Sequence, residues 1–270
     1  MRRGLLLILP LCCSVPARAS VFDFLAEVVS SRPMARAPGD LRTEKPRAIY
    51  LNGFPMYVST GRTDRSIKDV LDFYQERYPG GALKQIVGKP VGIRREGEST
   101  GTLMVVDVAD KATALEVFDG KRTLPEAGPV RLVYARRAGL HTEYLIAWSE
   151  RPMPRTVLEP VQSGDVPGRD VAGVPRPQGA VRSFSFEEPG AGYRLVMYRV
   201  AESPEQALRS AAARLDAEGW QEDRSFADAA RQRRKLMARF SRGNRDVVVT
   251  ARPLGGTRPG AQLAYLLRDL

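Results

Sequence analysis

The stretch RPMPRTVLEPVQSGDVPGRDVAGVPRPQG, Arg151–Gly179, divides the chain. Pro152, Pro154, Pro160, Pro167, Pro175 and Pro177 fall within it, with Gly164, Gly168 and Gly173 among them. Each proline locks its own φ and removes a backbone donor, so neither a regular helix nor a central strand can run through. The stretch reads as a partly extended interdomain linker over residues 151–179. On either side lie a first domain over residues 45–150 and a second over 180–270.

The two flanking regions read alike. Met56-Tyr57-Val58 precedes a helix opening at Ser66, and Met197-Tyr198-Arg199-Val200 precedes one opening at Ser203. Ser66 is followed three residues on by Asp69, and Ser203 by Gln206, so both openings carry capping-box chemistry. Pro204 suits the first helical position, and Gly219 before Trp220 suits a helix stop. Ile67, Val70, Leu71, Tyr74 and Tyr78 share one helical face; Ala207, Leu208, Ala211 and Leu215 share another. Strands are expected at 91–95, 103–108, 130–136 and 143–148, and then at 236–241, 247–251 and 262–267. Ala112–Phe118 reads as an extra short helix. The expected fold class is therefore α+β: two tandem small domains, each an antiparallel sheet with one capped packing helix, related by internal duplication.

The N-terminus carries an address. Arg2 and Arg3 precede the apolar run Leu5–Leu11, and Ala17-Arg18-Ala19 offers small residues before a cut. This is the pattern of a cleavable secretory signal over residues 1–19, too short to span a membrane. Residues 20–44 follow as a helix and loop, with Phe22, Leu25, Val28 and Val29 at helical spacing. Both cysteines of the chain, Cys12 and Cys13, fall inside the signal, so the exported form is expected to be cysteine-free. The whole chain is +11; the signal holds three of its arginines, which leaves +8. A basic protein in an envelope rich in anionic polymers is drawn to them.

Catalytic constellations are sparse. Gly97-Glu98-Ser99-Thr100-Gly101 matches the G-x-S-x-G of a serine nucleophile elbow, but that motif needs a strand before it and a helix after it. Here Thr102–Val108 reads as a strand, so the five residues suit a polar hairpin loop. His141 is the one histidine of the chain, in a turn between two strands. A lone histidine and no exported cysteine leave no zinc ligand set, and no cofactor is expected. Asp107 with Asp110, or Glu187 with Glu188, could be named as carboxylate pairs only because they are acidic.

The strongest non-structural signal is electrostatic. Arg231, Arg233, Arg234, Lys235, Arg239, Arg242 and Arg245 occur with no acid between Arg231 and Arg245. In a hairpin, Lys235, Arg239 and Arg245 could share one face. Phe240 is the one aromatic among them, so base stacking on single-stranded nucleic acid is not expected. Function is therefore expected to be that of an exported, non-catalytic binding or assembly module of the cell envelope. Its partner would be an envelope protein or an anionic envelope polymer. The alternatives are a polyanion binder using 231–245 and an extracytoplasmic hydrolase.

Overall fold

The computed structural model describes residues 45–78, 80–88, 92–158, 164–254 and 259–269. The expected signal at 1–19 and the helix and loop at 20–44 lie outside these residues. Twelve strands follow one another: β1 Arg47–Leu51, β2 Phe54–Thr63, β3 Ile93–Glu96, β4 Thr100–Val106, β5 Pro129–Ala138, β6 His141–Pro152, β7 Val181–Glu188, β8 Tyr193–Val200, β9 Gln221–Glu222, β10 Met237–Arg242, β11 Arg245–Pro253 and β12 Ala261–Asp269. Among the described residues five helices accompany them: α1 Ile67–Arg77, α2 Ala82–Val87, α3 Lys111–Phe118, α4 Pro204–Ala217 and α5 Arg224–Gln232. A single helical turn covers Arg155–Leu158.

The expected pair of small sheets, each with one packing helix, is corrected. The hydrogen-bonded strand order is β3-β4-β5-β6-β2-β1-β7-β8-β12-β11-β10-β9, one twelve-stranded sheet. The cause lies in two strands absent from the sequence reading, β1 and β7. They pair antiparallel, with Tyr50 opposite Glu187 and Leu51 opposite Phe186. Asn52 and Gly53, both at positive φ, make the two-residue turn from β1 into β2. Asn-Gly at that spacing is the strongest short-range hairpin signal a sequence offers.

By internal contacts the described chain forms two compact units: residues 45–47 with 56–155, and residues 48–55 with 156–269. In the first unit, α1 packs over β4 and β5. Its Ser66 cap accepts from the Asp69 amide, and Asp69 returns the bond to the Ser66 amide. Ile67, Val70, Leu71 and Tyr74 meet Leu103, Val105, Val133, Ala135, Tyr144 and Ile146 in one core. The helix comes so close to β4 that a Cβ on Gly101 would stand 2.5 Å from Ile67 Cγ2 and 2.9 Å from Leu71 Cδ1. The second glycine of the G-x-S-x-G match is thus explained by packing.

In the second unit, α4 lies over β10, β11 and β12. Ala207, Ala211 and Leu215 face Val196, Tyr198, Val247, Val249, Leu263 and Tyr265. Small alanines on the helix let it sit close to the sheet, and Tyr198 and Tyr265 fill the remaining space edge to face, with centroids 5.7 Å apart. Gly219, at φ 80°, ends the helix. The Gly219 amide then donates to Asp216 O and the Trp220 amide to Leu215 O, the paired bonds of a Schellman stop. Trp220 follows fully buried, its indole N–H donating to Gly173 O at 3.1 Å.

Candidate functional site

The sheet of the second unit carries a polar cavity of about 670 Å³ beside β1, β7 and β8. Strand register builds its floor: Tyr50 lies opposite Glu187, Glu187 opposite Arg194, and Ser185 opposite Val196. All five line the cavity, and residues 167–170 with Ala172 form a wall. Asn52 braces the floor from one side. Its amide donates to Ser185 O at 2.8 Å, its side-chain oxygen accepts from the Ser185 amide at 2.7 Å, and its Nδ2 donates to Val157 O at 2.9 Å. Wall and floor meet at van der Waals limits. Gly168 has φ +121°, and a Cβ there would stand 2.0 Å from Ser185 Oγ. Both the backbone conformation and the space demand glycine.

The wall is held by ion pairs. Asp165 accepts from Arg176 at 2.5 and 2.6 Å and from the Arg182 amide at 2.7 Å. Asp170 Oδ1 accepts from Arg182 Nη1 at 2.5 Å and from the Tyr198 hydroxyl at 2.9 Å. Arg182 is buried and spends Nε and Nη2 on Val166 O, at 3.2 and 3.0 Å. Arg176 also stacks over the Tyr198 ring, 5.4 Å from its centroid. Val166, Val171 and Ala180 are buried beneath. Residues 164–180 thus belong to the second unit's packing while remaining free of regular structure.

The same network sets the acid response. The hydrogen-bonded Arg176 guanidinium holds the Asp165 carboxyl down, from 3.8 to about 2. A depressed carboxyl contributes stability above its unfolded pKa and loses it as pH falls through the folded value. Stability is therefore expected to drop between about pH 4 and pH 2, by at most about 2 kcal/mol from this group. Asp165→Asn should be less stable than the parent at pH 7 and converge with it near pH 2. Urea midpoints across that range measure this. Tyr198 moves the other way: burial raises its hydroxyl far above the ordinary value, so it stays a donor to Asp170.

Two arginines of the cavity keep unused donors. Arg194 gives Nε to Glu187 Oε1 at 3.2 Å and makes no other side-chain hydrogen bond among the described residues. Arg194 lines the cavity, and its two terminal nitrogens have donors to spare. Arg169 is exposed at the wall and has no carboxylate partner among the described residues. Tyr50, 41% exposed, presents a ring beside them.

The seven basic residues of 231–245 separate into two groups. Arg239 pairs with the buried Asp246 and lies 3.7 Å from Asp223. Arg242 and Arg245 stand opposite each other on β10 and β11, on the face away from Arg239. Arg242 donates to Glu218 O at 2.7 Å and Gly173 O at 3.2 Å; Arg245 donates to Ala172 O at 2.7 Å and pairs with Asp269 at 3.2 Å. Both guanidiniums cover Trp220, at 5.0 and 5.7 Å from its ring. Arg231, Arg233, Arg234 and Lys235 gather instead at the C-terminus of α5, before β10 begins. There the helix dipole favours cations.

Arg234 occupies the left-handed stop position of α5, with φ 53°. Its amide donates to Arg231 O at 2.9 Å and the Lys235 amide to Ala230 O at 2.9 Å, the same stop that Gly219 makes on α4. A side chain costs energy in that conformation. Arg234→Gly should stabilise the protein by roughly 0.5–1 kcal/mol, after the entropy of a freer unfolded chain is counted. A thermal scan should show a small rise in Tm.

Of the G-x-S-x-G match, Gly97, Glu98 and Ser99 form the turn between β3 and β4 while Thr100 and Gly101 open β4, with the Gly97 amide donating to Thr100 O at 2.8 Å. Ser99 Oγ makes no hydrogen bond among the described residues, and its carbonyl accepts from the Arg137 amide. His141 Nδ1 lies 2.5 Å from Asp64 Oδ1. Glu187 and Glu188 are neighbours on β7 and point to opposite faces; Glu188 is buried. Asp107 lies 3.8 Å from Arg131, and Asp110 caps α3 through the Thr113 amide. Among the described residues no group of three His, Cys, Asp or Glu comes together as a metal site. No helix there is long and apolar enough to cross a membrane.

Sequence reasoning missed the cavity. Asn52-Gly53 was the signal for its floor; the wall's ion-pairing residues Asp165, Asp170, Arg176 and Arg182 follow no sequence pattern that would have announced it. Comparison with known proteins found no matching family model, no matching curated protein and no matching solved structure.

Proposed function

We propose that the protein is an exported, non-catalytic binding module of the cell envelope whose site is the cavity beside β1, β7 and β8. The ligand is an anionic saccharide unit of an envelope polymer. One observation carries this reading: Arg194 presents a guanidinium with unused donors to a pre-built polar cavity. Arginine forks suit carboxylate and phosphate groups. Arg194 shares its charge with Glu187, whereas Arg169 adds a cation with no carboxylate partner among the described residues, and the exposed Tyr50 ring gives a sugar an apolar face to rest on. Asp170 does not oppose an anion, because Arg182 neutralises it. Glycine-limited contact between wall and floor keeps the cavity formed before the ligand arrives, which lowers the ordering cost of binding.

The test is calorimetric titration with a heparin tetrasaccharide. Arg194→Gln and Arg169→Gln should each weaken binding by about tenfold, since a charge-assisted contact contributes about 1.5–3 kcal/mol. The triple change Arg233→Gln, Arg234→Gln and Lys235→Gln should leave it within about threefold, as expected for exposed charges acting at a distance. A second reading rests on those three. Arg233 and Arg234 are exposed, without carboxylate partners among the described residues. Should the triple variant lose binding while the cavity variants keep it, the polyanion reading of 231–245 takes the place of the cavity.

A further inference from the structure

Helices α2 and α3 of the first unit pack against each other. Each turns apolar side chains outward as well as inward. On α2, Ala82 and Leu83 are buried, while Ile86 and Val87, one turn on, are each 40% exposed. On α3, Ala114 is buried, while Leu115 and Phe118 are each 55% exposed. Four large apolar residues on one helix pair form a patch of the kind that soluble monomers reserve for an interaction.

The surrounding charges indicate what the patch meets. Every acid on α3 and its flanks is already engaged. Asp110 caps the helix through the Thr113 amide at 2.8 Å; Glu116 pairs with Arg122 at 2.9 Å, and Asp119 with Lys121 at 2.9 Å. Lys84 on α2 and Lys111 on α3 are exposed, with no carboxylate partner among the described residues. The patch thus has apolar side chains flanked by two lysines without carboxylate partners among the described residues; Glu116 and Asp119 are paired with cations, and Asp110, which stays ionised, is turned to the Thr113 amide and hydroxyl. Protein interfaces favour Tyr, Trp, Phe, Met and Arg and are depleted in Lys, so the two free lysines, not the apolar residues, set this patch apart from one. Short aliphatic and Phe side chains flanked by free lysines, whose long stems let the ammonium rise to a headgroup, suit an anionic lipid surface.

We infer that the α2–α3 face docks on an anionic membrane leaflet through Ile86, Val87, Leu115 and Phe118, steered by Lys84 and Lys111. This is independent of the saccharide cavity, which belongs to the other unit. The test is co-sedimentation of the chain from Ser20 onward with two vesicle types: phosphatidylcholine alone, and phosphatidylcholine with phosphatidylglycerol as the minority lipid. The parent should bind the mixed vesicles at least about tenfold more tightly, since a lysine near such a surface contributes about fivefold. Leu115→Asp with Phe118→Asp should abolish binding to both. Lys84→Glu with Lys111→Glu should erase the preference for the anionic vesicles. All four positions are exposed, so near-ultraviolet circular dichroism should show each variant folded. A folded parent that ignores mixed vesicles overturns the inference. So does an aspartate variant that binds as the parent does.

Discussion

Replacing Trp220 with alanine is expected to remove about 3–5 kcal/mol of stability, the cost of emptying a large aromatic site in a packed interior. Trp220 is 1% exposed and belongs to the second unit's core. Three independent features meet at this ring. It completes the stop of α4, its N–H reaches Gly173 O, and Arg242 and Arg245 cover its outer face. Those arginines in turn donate to Gly173 O and Ala172 O, so the indole and the wall segment share their anchors. Without the ring, the Gly173 carbonyl keeps only Arg242, and the guanidiniums lose the surface they lie on. The urea midpoint should fall while the slope stays near that of the parent. A loss under about 1 kcal/mol would mean that the core collapses around the vacancy and that Trp220 is not the keystone of this unit.

Arg182→Met is expected to cost a similar amount, about 3–5 kcal/mol, by a different route. The residue is 8% exposed, and methionine can occupy much of its apolar stem's place. What disappears is the charge. Asp170 then keeps the Tyr198 hydroxyl and an Arg176 contact at 3.4 Å, and Val166 O loses both donors. Removing one partner of a buried pair leaves the other uncompensated, which is why the cost exceeds the net worth of the pair itself. The damage should be local as well as global. Residues 164–180 should become cleavable by trypsin after Arg169, the one tryptic site of the segment not followed by proline, under conditions in which the parent resists. Equal protease resistance would show that the wall does not depend on the Asp165–Arg176–Asp170–Arg182 network.

Much of the local structure was legible. Ser66 and Ser203 open helices because their hydroxyls satisfy backbone donors three residues on, a rule that needs no tertiary context. Gly219 stops α4 for an equally local reason. The sheet's continuity was harder to see. It turns on β1, a five-residue strand, and on Asn52-Gly53, whose hairpin signal stands beside a strand too short to announce itself by periodicity. The proline-rich run was expected to exclude regular elements, yet β6 runs on to Pro152 and a helical turn covers Arg155–Leu158; from Gly164 to Gly179 the chain is irregular, as the composition requires. What composition does not display is that Val166, Val171 and Ala180 are buried, because the forces that order them are ion pairs between residues 165, 170, 176 and 182. Such pairs have no period. The basic run shows the same limit. Its charge is plain, but Arg239 is committed to Asp246, and Arg242 and Arg245 to carbonyls and an indole; only a folded chain reveals this.

The most direct measurement is amide hydrogen exchange of the chain with and without a saturating heparin tetrasaccharide. A saccharide site in the cavity predicts added protection at residues 167–172 and 185–194, around the Arg194 fork, and none at 231–235. Protection confined to 231–235, or a bound ligand that leaves the cavity amides unchanged, would contradict it.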